Sequence, residues 1–209
     1  MRLDLWLVRG GYFKTRSRAK IAIKKGMIKV NGVVITKPSA EINEGDKIEV
    51  LADKPRGYWK LKQLDEKFGI FKGGEIVLDL GSSAGGFLLY ASEKAKFVYG
   101  IEFSREFEET LKELESLENV KIFIEDAFKF DLSKIESVDI ILNDLTLPFA
   151  SSMTALKRFL PKLKPEGRIL FVHKLSKKDE PNFSDFEILA QEKSKEKREI
   201  YYLLKLRSD

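Results

Sequence analysis

The chain has 209 residues, 43% of them hydrophobic and 34% charged, with no cysteine and one histidine. That excludes disulfides and thiolate metal sites and leaves little for a transition-metal centre. No apolar run reaches the roughly 18 residues that a membrane-spanning helix needs. Residues 1–53 carry 11 Lys and Arg against 6 Asp and Glu, so the whole net charge of +5 sits there and the rest of the chain is balanced. The first residues, Met1-Arg-Leu-Asp-Leu-Trp6, make a poor signal peptide, so a cytoplasmic protein is expected.

The first quarter reads as two helices followed by short strands. Leu3, Leu5, Trp6, Val8 and Tyr12 supply an apolar face. Thr15 is placed to cap a helix over 16–25, with Ala19, Ile21, Ala22 and Ile23 apolar, and Gly26 ends it. Residues 27–30 read as a strand, Asn31-Gly32 as a hairpin turn, 33–35 as the returning strand and 47–51 as a last one. Within 1–37 only Asp4 opposes ten basic residues, a one-sided patch that suits a phosphate backbone. Arg2-Leu-Asp4, Thr15-Arg-Ser-Arg-Ala-Lys20, Ile23-Lys-Lys-Gly26 and Ile28-Lys-Val-Asn-Gly32 together resemble the S4 RNA-binding domain, over residues 1–52. The resemblance implies that basic side chains lie on folded RNA. The matching candidates are Arg2, Arg9, Lys14, Arg16, Arg18, Lys20, Lys24, Lys25 and Lys29. Contacts of that kind give salt-sensitive affinity with little base specificity.

Asp53-Lys-Pro-Arg-Gly57 is a polar break, and 53–59 is expected to link the first module to a second domain over 60–209. Apolar residues then recur at helical spacing, at 61, 64 and 68. From Glu75 onward strands and helices alternate. Strands are expected at 76–80, 97–102, 120–124, 138–142, 168–172, 186–190 and 200–206. Ser104 is expected to cap a helix reaching about Leu117, and another helix is expected over 150–160. That alternation predicts a doubly wound α/β fold with a seven-stranded, mostly parallel sheet.

Val77-Leu-Asp-Leu-Gly-Ser-Ser-Ala-Gly-Gly-Phe87 reads as a buried strand ending in a glycine turn that opens a helix. Glycine has no Cβ, so such a turn admits a cofactor against the backbone. The middle glycine of G-x-G-x-x-G is absent and no Gly-Lys-Ser/Thr follows, which argues against a dinucleotide fold and a P-loop. The loop instead resembles that of S-adenosylmethionine (SAM)-dependent methyltransferases. That resemblance implies a cofactor site made of Asp79, Gly81, Ser82, Ser83, Gly85, Gly86, Phe87 and Asp144. It further implies a carboxylate for the ribose at the end of the second strand, Glu102, and a polar contact for the adenine after the third, Asp126. Ala84 stands where the enzymes described next usually carry proline.

The second domain resembles the RrmJ/FtsJ-type RNA ribose 2′-O-methyltransferases, and its combination with an S4 module resembles the TlyA (haemolysin-like) family. The resemblance implies four catalytic positions: Lys60 in Arg56-Gly-Tyr-Trp-Lys60-Leu61, Asp144 in Leu142-Asn-Asp-Leu-Thr146, Lys174 in Phe171-Val-His-Lys174 and Glu199 in Lys197-Arg-Glu-Ile-Tyr-Tyr202. A ribose hydroxyl must lose its proton as it attacks, and a lysine can take it only if burial or a neighbouring cation lowers its pKa. Lys174 is expected as the base, with Lys60, Asp144 and Glu199 positioning it and the ribose. Strand alternation turns His173 away from Lys174. The segment Ser176-Lys-Lys-Asp-Glu-Pro-Asn182 reads as a loop where the family usually carries a longer insertion. The implied partner is structured RNA, ribosomal RNA or ribosomal subunits, with no membrane. An RNA-binding assembly factor that binds SAM without turnover stands as the alternative.

Overall fold

In the computed structural model, which describes residues 1–51, 54–176, 181–194 and 197–207, the chain forms two units, Met1–Lys54 and Pro55–Asp209. The first unit packs helices α1 (Leu3–Arg9) and α2 (Arg16–Lys24) beside a small sheet of β1 (Ile28–Val30), β2 (Val33–Val34) and β3 (Ile48–Val50). The Thr15 hydroxyl accepts from the Arg18 amide, closing the first turn of α2 as its position predicts. Strand β1 lies between β2 and β3 and is antiparallel to both. Leu3, Leu7, Ala19, Ile23, Ile28 and Ile42 form its core.

Asp4 is fully buried in this unit. Arg2 grips both its oxygens at 3.1 Å, and the Arg16 Nε donates to one at 2.9 Å. Burial raises the cost of its charge, but the two guanidiniums outweigh that and hold its pKa below the usual carboxylate range. Asp4 is therefore the anchor of its basic surroundings rather than a lone acid on a basic face.

The second unit contains α3 (Arg56–Phe68), β4 (Ile76–Leu80), α4 (Gly86–Ser92), β5 (Phe97–Glu102), α5 (Glu108–Leu114), β6 (Val120–Ile124), β7 (Val138–Asn143), α6 (Phe149–Phe159), β8 (Leu163–Lys174), β9 (Phe186–Lys193) and β10 (Glu199–Leu206). The strand order is β6-β5-β4-β7-β8-β10-β9. The first five are parallel, and β10 runs antiparallel to both β8 and β9. The chain builds outward from β4 through β5 to β6, then returns to place β7 on the other side of β4. The crevice at that reversal is where open α/β sheets bind ligands.

Strand alternation divides the core into two layers. Leu78, Leu80, Ile141, Ile169 and Phe171 pack with Phe149, Met153, Leu156 and Phe159 of α6. Val77, Ile140, Leu142, Leu170 and Val172 face the other way, toward Tyr58, Leu61 and Leu64 of α3 and Phe87 and Leu88 of α4. No helix among the described residues is long and apolar enough to cross a membrane.

Three local expectations change. Helix α3 begins at Arg56, so residues 56–59 are not linker, and residues 52 and 53 lie outside the described set. Strand β8 starts at Leu163, five residues before the expected Arg168, because a register shift opposite Val138–Ile140 accommodates Pro165 and Gly167. Ser104 caps a single 3-10 turn, Arg105–Phe107, and the α-helix after it ends at Leu114.

Candidate active site

Period-two alternation sets the site. Asp144 follows β7, Lys174 ends β8 and Glu199 opens β10, and these three strands are neighbours. Counting in twos from Leu142, Val172 and Tyr201, all three residues belong to the layer covered by α3. Glu199 and Lys174 are also direct cross-strand partners. Helix α3 buries Tyr58, Leu61 and Leu64, and this brings Lys60 over the same strand ends.

The four side chains close on one another. Lys60 Nζ lies 2.6 Å from Asp144 and 3.3 Å from Glu199. Lys174 Nζ donates to Asp144 and, at 2.8 Å, to Glu199. The Tyr201 hydroxyl donates to Glu199 at 3.0 Å. Lys60 also sits against the rings of Phe87 and Tyr201, at 5.3 and 5.7 Å from their centres. Alternation alone puts residues 199 and 201 on one face, so Tyr201 was within reach of sequence reasoning.

The lysines are not equivalent. Burial lowers the pKa of Lys60, and the Lys174 ammonium adds to this against the opposing pull of Asp144 and Glu199. Burial also disfavours charge on Lys174, but Asp144 and Glu199 outweigh it and raise its pKa above the ordinary lysine value. The same two ammoniums override burial at Glu199 and bring its pKa down to about 2. Burial, with the Glu199 carboxylate, pushes Tyr201 up to about 12. Lys174, expected as the base, is thus the amine held charged. His173 is buried on the opposite layer, its ring 5.2 Å from Phe149.

A cavity of about 730 Å³ opens above Lys60, Asp144 and Lys174, while Glu199 is not part of its lining. Gly81, Ser82, Ser83, Gly86, Phe87, Glu102, Asp126 and Asp144 line it, together with Phe103, Phe107 and Phe128, which sequence reasoning missed. Phe103 is 75% exposed, an unusual placement for an aromatic ring directly after a buried strand. The Glu102 carboxylate accepts from the Ser83 and Ser104 amides, each at 2.7 Å, which fixes the glycine loop to the end of β5. Asp126 accepts from the Phe128 amide at 2.9 Å.

Two expected lining residues lie elsewhere. Gly85 is the left-handed residue before α4, and a Cβ there would stand 2.2 Å from Leu114. Asp79 is fully buried beneath the loop. Neither of its carboxylate oxygens has a hydrogen-bond partner among the described residues, and burial, with Asp144 and Glu102 nearby, pushes its pKa up to about 8. Gly86 lines the cavity but serves packing too: a Cβ would meet the Tyr58 amide at 2.6 Å, so α3 and α4 cross in contact. The glycines thus make room chiefly for protein.

The cavity's far end fits SAM better than a phosphate ligand. Glu102, Glu106 and Asp126 make it acidic. SAM carries positive charge and no phosphate, so these carboxylates suit its amine, its sulfonium and its ribose hydroxyls.

The family model for FtsJ-like methyltransferases matches residues 54–178, more than half of the chain. The chain belongs to the FtsJ-like methyltransferase family. A second model, the S4 domain, matches residues 1–48. Hemolysin A of Brachyspira hyodysenteriae is 37% identical over 106 residues, covering 49% of this chain and 44% of that one. The 16S/23S rRNA (cytidine-2'-O)-methyltransferase TlyA of Mycobacterium tuberculosis is 33% identical over 91 residues, 41% of this chain and 34% of its own. The matched stretches thus span less than half the length of these curated relatives. An rRNA methylase from Streptococcus thermophilus shares the fold, with a TM-score of 0.55 and 16% identity over 70% of this chain and 95% of that one.

The S4 unit presents Arg9, Lys14, Arg16, Arg18, Lys20, Lys24 and Lys25 as exposed residues, with Arg2 and Lys29 half-buried. Arg2 and Arg16 are already engaged by Asp4, so they first hold the unit together. Of the expected loop 176–182, residues 177–180 lie outside the described set.

Proposed function

We propose that this protein is a SAM-dependent RNA methyltransferase that modifies a ribose 2′-hydroxyl, with ribosomal RNA as substrate and the cytoplasm as its place of work. The S4 unit would capture structured RNA through its exposed basic residues. The observation that carries the reading is the closed Lys60–Asp144–Lys174–Glu199 cluster, three of whose members line a SAM-sized cavity. Bound SAM would supply an electrophilic methyl group, held by Glu102, Asp126 and the Gly81–Phe87 loop. Lys60 Nζ takes the proton from the ribose hydroxyl, because it is the amine that burial and Lys174 bias toward the neutral form. Lys174 stays charged and donates to the hydroxyl oxygen, steadying the negative charge that develops there. Asp144 and Glu199 orient both amines, and Tyr201 fixes Glu199. The aromatic side chains around Lys60 keep water from recharging it.

Labelled SAM incubated with 16S and 23S rRNA lacking modifications, followed by nuclease mapping, tests this. Label is expected on a 2′-oxygen. SAM binding without label in any ribosomal, transfer or structured RNA pool would favour the binding-only alternative.

A further inference from the structure

Charge is distributed unevenly around the cavity. One end is acidic, with Glu102, Glu106 and Asp126. The central cluster sets two amines against two carboxylates, so it carries no net positive charge even with both amines protonated, and each of the four is held by the others. Such a closed cluster exerts little pull on a polyanion. On the remaining rim stand Arg56 and Lys197, both exposed. Among the described residues the side chain of neither makes an ion pair or hydrogen bond. A long cation that faces a cavity and has no protein partner is free to take an anion.

A second observation falls in the same place. Helix α3 is 13 residues long and its first turn, Arg56 and Gly57 after Pro55, lines the cavity. Among the described residues no side chain caps that turn, and no acid stands in it. The Tyr58 amide donates to the Pro55 carbonyl, so the Arg56 and Gly57 amides are the ones that precede the helix's own hydrogen bonds, at the positive end of the helix dipole, an arrangement that favours phosphate.

We propose that Arg56, Lys197 and the open first turn of α3 form a phosphate rim that seats the backbone of the acceptor RNA beside Lys60 and Lys174. The proposal rests on the methyltransferase reading and deepens it. Each ribose in RNA is flanked by two phosphates, so a rim that fixes the phosphates next to the target also aims its hydroxyl into the cluster. Arg56 offers a planar fork for phosphate oxygens and Lys197 a mobile point charge. The polarity of the cavity gives direction: the cationic cofactor at the acidic end, the polyanion at the basic rim, and the reacting groups over the cluster between them. Because the rim belongs wholly to the second unit, it acts in addition to the S4 unit.

The test uses the full chain with R56Q, K197Q, the double variant, and K94Q as a charge-matched control just beyond the opposite end of α4. Methyl transfer to unmodified 16S and 23S rRNA transcripts gives KM and kcat, calorimetry gives SAM affinity, and filter binding gives the salt dependence of RNA affinity. Each single variant is expected to raise KM for RNA about threefold or more, and the double variant about tenfold, with kcat within about twofold of the parent. The slope of log affinity against log salt should become shallower by about one per cation removed. SAM affinity, and every property of K94Q, should stay at the parent values. A double variant with parental KM and salt slope overturns the rim, as does a loss of SAM affinity, which would make these cofactor residues. If the parent transfers no methyl group to either RNA, the functional reading fails and the salt slope alone decides: a shallower slope in the double variant upholds the rim, an unchanged slope removes it.

Discussion

Replacing Glu199 by glutamine keeps its size and removes one charge from the cluster. Three donors converge on this carboxylate: Lys174 at 2.8 Å, Lys60 at 3.3 Å and the Tyr201 hydroxyl at 3.0 Å. Burial alone would raise its pKa, but the two ammoniums bring it from 4.5 to about 2. A carboxylate whose pKa falls on folding stabilises the native state above its unfolded pKa, and that contribution fades as pH drops toward the folded value. At about 1.4 kcal/mol per pKa unit the ceiling is about 3 kcal/mol. Sharing of the charges and contact with water reduce this to an expected 1–3 kcal/mol, roughly the cost of breaking a partly buried ion pair. Urea unfolding followed by tryptophan fluorescence should show E199Q less stable by about that amount at pH 7, with the gap at pH 3 less than about half as large. Catalysis should fall more steeply. Charge-assisted hydrogen bonds contribute about 1.5–3 kcal/mol each, so kcat is expected to drop about tenfold to a hundredfold with SAM affinity within about twofold. Without the carboxylate both lysines deprotonate more readily, so the rising limb of the pH–kcat profile should move to lower pH. A stability gap of equal size at both pH values, or a profile that does not move, would refute the electrostatic role given to Glu199.

Arginine cannot accept a proton at working pH, so K60R should lose about a hundredfold or more in kcat while K174R keeps a measurable fraction; the opposite order would return the base to Lys174. E102Q should weaken SAM binding about tenfold, read by calorimetry, because it also loosens the Ser83 and Ser104 amides. G86A should cost about 1–3 kcal/mol in urea unfolding, since its Cβ would meet the Tyr58 amide and the Gly57 Cα at 2.6 and 2.7 Å. D4N should destabilise the first unit by about 2 kcal/mol, seen as earlier melting of the Trp6 signal, because Arg2 and Arg16 lose a shared anchor.

The sheet was legible because its strands are short apolar runs between clear breakers, and the site was legible because its residues end those runs. What failed shares one cause. Pro55, Gly57, Pro165 and Gly167 read as interruptions, yet Gly57 is small so that Gly86 can approach it, and Pro165 and Gly167 sit in a bulge of a strand that continues. Composition marks where backbone is unusual, and only tertiary contact says whether it turns, bulges or touches. The difference between the two lysines was illegible for a similar reason. Both are flanked by apolar residues, but their opposite pKa shifts depend on how each one's burial balances against Asp144 and Glu199. The engagement of Arg2 and Arg16 was hidden too, because the burial of Asp4 appears only once α1 and α2 have packed.

The direct pairing of Glu199 with Lys174 across β10 and β8 makes the four-residue cluster a matter of phase. The connections on either side of β9 can lengthen or shorten while both residues keep facing α3. One residue gained or lost between Ile200 and Leu204 would be different, because it would carry Glu199 to the His173 layer unless the strand broke. Tolerance to insertion should therefore change within a step or two of the chain, from generous in the connecting loops to nil where β10 begins. Any related sequence that keeps this chemistry can drift in loop length there but has to preserve the parity of residues between Glu199 and the apolar positions that hold β10 in the sheet.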